Sequence, residues 1–308
     1  ISLSWQEKAA VYIPTLSPQP ESHLDLESVL RELGPWVSNE QYKKTGYNLK
    51  FDEQALRRAG FDLRGIAFDS MIASYLLNMP GHGIDHLSLS LLNIEMVDIT
   101  RLIGVGSRNV PQRSMAQVPL EMVVPYAGAD ADIALRLYHV LRPRLADQGM
   151  SELAEKIEMP LVHVLAEMEM AGIRVEAHEL HRQKEILQKR IDELRDQIHE
   201  AAGTVFNLDS PKQLGDVLFK KLGLPVQKRT QTGPSTDIEV LEKLADLEGI
   251  PEQAQRVPKL LVEYRQLTKL VGTYLESLVE SISKTDGRVR ASFHQAGTAT
   301  GRLSSSNP

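Results

Sequence analysis

Pro125-Tyr126-Ala127-Gly128-Ala129-Asp130-Ala131-Asp132 is the stretch around which the rest of the chain is arranged. It reads as the opening of a helix that runs to about Leu145. Proline suits a first helical position, where its missing N–H would be unpaired in any case. Residues four apart share a helix face, so Tyr126 and Asp130 look the same way and Asp132 looks elsewhere. Ala134, Leu137 and Leu141 continue that face and would bury it. A carboxylate at the head of an apolar face is costly unless it is paired or binds a metal. A first helical turn that favours acids explains it equally well, so a second site has to decide.

Upstream, Lys44-Thr45-Gly46-Tyr47-Asn48-Leu49-Lys50-Phe51-Asp52 reads as a strand end, a turn and a helix start. Asn48 and Asp52 are again four apart, although an Asn cap and a solvated Asp would look the same. Short strands are expected over 1–4, 10–14 and 66–68. A helix from Leu24 to Leu33 is expected to end at Gly34-Pro35, another runs over Asp69–Leu77, and Pro119–Val124 forms a short one. Residues 78–118 show no periodicity, and His82, His86, Gly104 and Gly106 fit no metal or phosphate spacing.

From Glu152 helices dominate. Leu180, Leu187 and Leu194 recur every seven residues with Ile191, Ile198 and Ala201 between them, a buried helix seam. Ser210-Pro211 caps a new helix. The loop over 225–236 carries Lys228 and Arg229 and no acid, and leads through Ser235 and Thr236 to a helix at Asp237. A basic, hydroxyl-rich loop at a helix N-terminus suits phosphate oxygens; a plain surface loop reads the same. Arg265, Lys269 and Thr273 share one face of a helix expected over Pro258–Ser283.

Composition narrows the classes. The 308 residues contain no cysteine, which excludes a disulfide scaffold and a cysteine zinc site and fits a reducing, cytoplasmic setting. No apolar run is long enough to span a bilayer. The length allows about two domains. The net charge of −6 does not advertise nucleic acid, but a local basic strip can outweigh it. The chain opens at Ile1 inside an expected strand, without Met, as a fragment would.

Phe293-His294-Gln295 followed by Thr298-Ala299-Thr300-Gly301-Arg302-Leu303-Ser304-Ser305 resembles the start of the palm in family A DNA polymerases, the bacterial DNA polymerase I group. Phe206-Asn207-Leu208, Ser210 to Leu214 and Tyr264-Arg265 are similar to that family's thumb. The resemblance implies three parts. Residues 1–150 would be an α/β 3′–5′ exonuclease domain, ribonuclease H-like, with a mixed sheet flanked by helices. A mainly α-helical thumb would follow over 151–290, and the start of the palm over 291–308.

By the same resemblance the exonuclease holds two divalent ions, Mg2+ or Mn2+, on carboxylates. Such ions, roughly 4 Å apart, take hard oxygen ligands. Tyr126 and Asp130 match its third motif and Asn48 and Asp52 its second. Asp130 would bind the nucleophile-side metal, Asp52 the second metal through water, and Tyr126 would orient the attacking water. The family's first motif, Asp-x-Glu, precedes Ile1 and is absent here. Weak metal binding and little nuclease activity are therefore expected of this chain.

The implied partners are primer-template DNA, the 3′ end of single-stranded DNA and, for the parent polymerase, deoxynucleotides; a monomer with no membrane association is implied. Asn48, Lys228, Arg229, Ser235, Thr236, Arg265, Lys269 and Arg302 would contact DNA. Phosphate and minor-groove contacts suit an enzyme that must accept every sequence. The competing reading is an inactive exonuclease-like domain serving as a DNA-binding structural module. Asn48, Asp52, Tyr126 and Asp130 argue against it. A free-standing exonuclease of the RNase D type would not carry residues 291–305.

Overall fold

Alternating residues at the start of the chain form a hairpin, β1 (Ser2–Gln6) antiparallel to β2 (Ala9–Tyr12). The computed structural model describes residues 1–107, 110–231 and 233–307. Two units are resolved by packing: Ile1–Ala171 with Ala291–Ser306, and Gly172–Arg290.

In the first unit α1 (Leu26–Val37) begins at Asp25, whose carboxylate accepts from Ser28 N at 2.9 Å. The expected stop at Gly34-Pro35 does not occur. Val37 is buried with Phe61 and Leu63, and that packing keeps the last turn helical through the proline. β3 (Lys44–Gly46) leads into α2 (Leu49–Arg58), and β4 (Ile66–Asp69) pairs parallel with β3 and leads into α3 (Ser70–Leu76). Gly46 is required where it stands, because a Cβ there would lie 2.4 Å from Leu49 Cδ2. Among the described residues β1–β2 and β3–β4 are separate two-stranded sheets, one antiparallel and one parallel, where one mixed sheet was expected.

The unperiodic stretch contains α4 (Ile84–Leu87), a wide turn over Ser88–Leu92 and α5 (Thr100–Ile103). α6 (Leu120–Asp147) is one helix where two were expected. Pro125 lies inside it, because Val123 two residues earlier is buried and proline's fixed φ is already helical. Ile133, Leu137, Leu141 and Leu145 of α6 pack on Phe68, Ala73 and Leu87. α7 (Ser151–Leu153) and a wide turn over Ala154–Glu158 lead to α8 (Met159–Ala171), whose Met159 and Val162 pack on Leu49 and Ile72.

The second unit is helical. β5 (Ile173–Arg174) precedes α9 (Ala177–Ala202), whose Ile191, Leu194, Ile198 and Ala201 enter the core, as the heptad spacing predicts. Ser210 caps α10 (Pro211–Gly215), accepting from Gln213 N. The basic loop is a small hairpin, β6 (Arg229–Thr230) with β7 (Gly233–Pro234), ahead of α11 (Ile238–Ala245). α12 (Glu252–Lys269) starts before the expected Pro258, which is buried within it. A wide turn over Leu270–Glu276, α13 (Ser277–Glu280) and β8 (Arg288–Val289) follow, and β8 pairs with β5. The chain then rejoins the first unit, where β9 (Ser292–His294) pairs antiparallel with β10 (Ser304–Ser306).

Candidate functional site

Asp69 organises the mouth of the first unit. It ends β4, is buried, and its carboxylate accepts four backbone N–H groups. Asn48 and Leu49 donate at 3.1 and 2.7 Å, and Met71 and Ile72 at 2.9 and 3.4 Å. One side chain therefore caps α3 and fixes the start of α2. Asn48 sits in the left-handed region at φ 55 and its own side chain makes no cap. Asp52 is thereby held on the first turns of α2.

Asp52 feels the charge of Asp130. Desolvation, then the charge of Asp69, then that of Asp130, push the Asp52 carboxyl up to about 6, although the residue is exposed. Asp130 is also pushed up to about 6, by burial first and by Asp85 second; the Tyr126 hydroxyl turned on it works the other way. The Tyr126 phenol is pushed up to about 12 by burial and by Asp130. Asp52 on the first turns of α2 and Asp130 in the interior of α6, where a helix opening was expected, are near enough for the charge of one to reach the other. Asp132 looks elsewhere, as its spacing requires: it accepts from Lys8 N at 2.6 Å and pairs with Arg136, binding the β1–β2 turn to α6.

Asp130 and Tyr126 line a cavity of about 290 Å³ with Met96, Val97, Arg101, Leu102 and Met122, among others; Asp52 is not part of its lining. Among the described residues no group of three or more His, Asp or Glu side chains is placed to hold a metal ion. Asp52 and Asp130 supply the hard oxygen chemistry a divalent cation takes, and their mutual repulsion is what such a cation would relieve. Asp69 and Asp85 were not singled out from the sequence. An Asp just before Ser70 does carry a cap signal; Asp85 lies in the stretch without periodicity.

The basic loop sorts its residues differently. Lys228 and Arg229 are exposed, and Lys228 Nζ lies 2.9 Å from Asp237 Oδ2. Ser235 and Thr236 are both 6% exposed, so they are turned away from any surface ligand. Ser235 Oγ donates to Asp237 Oδ2, and the Thr236 carbonyl accepts from Arg265. These three residues, expected at the DNA surface, brace the loop from inside. Lys269 and Arg302 are exposed.

Residues 1–146 match the family model described as 3′-5′ exonuclease, and residues 177–308 match DNA polymerase family A. DNA polymerase I of Pseudomonas aeruginosa is 39% identical over all of this chain and 34% of its own length. That of Bacillus subtilis is 38% identical over 89% of this chain and 30% of its own. The chain spans about a third of the length of these relatives. A solved structure, the POL domain of Pol1 from M. smegmatis in complex with DNA primer-template and dNTP, superposes with a TM-score of 0.74 at 28% identity. The match covers 94% of this chain and 45% of that one.

Proposed function

This chain belongs to DNA polymerase family A, of the DNA polymerase I type with a 3′–5′ exonuclease region, and from that premise we propose that Asp52, Asp130 and Tyr126 serve a proofreading nuclease site in a protein that extends primers on a DNA template. The observation that supports this reading is that Asp130 is among the charges felt by Asp52 although the two lie on separate helices, within the region that matches the 3′-5′ exonuclease family model. Asp52 and Asp130 would hold divalent cations, Mg2+ or Mn2+, two in the complete site. When bound, these ions supply a water acidic enough to attack phosphorus and neutralise charge on the departing 3′ oxygen. Tyr126 stays protonated at neutral pH and would orient the attacking water through its hydroxyl. Asn48 would contact the strand end.

Residues 1–150 would then form the exonuclease part, 151–290 the thumb and 291–308 the palm start. Lys228, Arg229 and Lys269 would meet duplex phosphates and Arg302 the primer end. Primer-template DNA and deoxynucleotides are the partners proposed, in keeping with the contents of the solved relative. Manganese binding tests the site. Loss of the free-ion electron paramagnetic resonance signal on adding the chain is expected to be weak but present, abolished by Asp52→Asn and by Asp130→Asn and kept in Asp132→Asn. Equal binding by Asp130→Asn would refute the assignment.

A further inference from the structure

We propose that Glu169 and Tyr75 are positioning residues for Asp52, tying the helix that carries it to the hairpin that carries Arg302. The proposal rests on the nuclease reading of Asp52 and the DNA reading of Arg302. α2 presents Lys50 and Gln54 on the face away from Asp52, since four residues return to one face and two do not. Both reach Glu169 near the end of α8: Lys50 Nζ and Gln54 Nε2 each donate to its carboxylate at 2.5 Å. The same carboxylate accepts from Phe293 N of β9 at 2.6 Å, and Lys50 also donates to the Phe293 carbonyl. The Lys50 and Glu169 side chains are only 15% and 11% exposed, so this pair is little screened by solvent.

A second route reaches the same helix. The Tyr75 hydroxyl donates to the Thr298 carbonyl at 2.7 Å and accepts from Gly301 N at 3.1 Å, next to Arg302. Tyr75 belongs to α3, whose cap Asp69 also fixes the start of α2. Gln295 adds a third tie, donating to Glu158 at 2.9 Å. A carboxylate two residues before Ala171 thus grips the chain again at Phe293, after residues 172–290 have intervened. A load on the hairpin would be felt at Asp52 without any contact between DNA and α2.

Hydrogen–deuterium exchange on the full chain tests this, reading Leu49–Arg58 and residues 292–306 against 133–145, with and without a primer-template duplex. Duplex is expected to slow exchange in the first two segments. Glu169→Gln should cut the α2 response by about threefold or more while duplex affinity, read by anisotropy, changes by less than about twofold. Lys50→Arg should keep the response and Lys50→Met lose it. An α2 response equal in the unaltered chain and in Glu169→Gln overturns the proposal. Failure of the DNA reading shows separately, as a flat anisotropy titration. The duplex-free arm then still decides, because Glu169→Gln must raise exchange in both segments together and leave 133–145 alone; a rise in only one overturns the link.

Discussion

Asp237 and the pair Asp52–Asp130 are the same residue type, and they sit at opposite ends of the carboxylate range. Asp237 receives the Lys228 ammonium, Val240 N and Ser235 Oγ, and falls to about 2. Asp52 feels the charges of Asp69 and Asp130, Asp130 feels that of Asp85, and both rise to about 6. The amino acid does not decide the difference; the groups opposite do. In the basic loop Lys228 is paired with Asp237, and Arg265 donates to the Thr236 carbonyl, contacts that hold the loop together. Among these acids the charges oppose one another, an arrangement that costs stability and makes sense where a cation is to be taken up.

Removing the cap at Asp69 should have the largest effect. Asp69→Ala leaves four buried N–H groups without their acceptor and is expected to cost roughly 3–5 kcal/mol in denaturant unfolding. Asp69→Asn, which keeps one carbonyl acceptor, should cost less. A loss below about 1 kcal/mol for Asp69→Ala would show that the start of α2 is not built on this residue.

A smaller effect separates the two regions by pH. Asp52 and Asp130 titrate above their ordinary value of 3.8, so between there and about 6 the folded chain holds more protons than the unfolded one. Stability is therefore lost as pH rises through that window, on the order of 1 kcal/mol after solvent screening. Asp237 runs the other way: its contribution is present above 3.8 and is lost as pH falls toward about 2. Unfolding curves of Asp52→Asn should differ from those of the unaltered chain in the upper window, and those of Asp237→Asn in the lower. Identical profiles would erase the contrast.

Much of this was legible locally. The spacing of Tyr126 and Asp130 and the seam through Ile191, Leu194 and Ile198 depend only on helical geometry, and both hold. Proline misled at positions 35, 125 and 258, because a local rule about helix ends loses to burial of Val37, Val123 and Pro258 itself. The double cap of Asp69 was not legible, because it exists only once β4 lies beside β3. The bracing of the basic loop was not legible either, because Ser235 Oγ meets Asp237 and the Thr236 carbonyl meets Arg265 only in the folded chain.

If Asp52 and Asp130 belong to one site, the charge of Asp130 must reach Asp52. The measurement that tests it most directly is the carboxyl carbon-13 titration of Asp52 by nuclear magnetic resonance, in the unaltered chain and in Asp130→Asn. A midpoint near 6 that falls by about half a pH unit or more in the variant is expected; a midpoint that does not move would contradict the account.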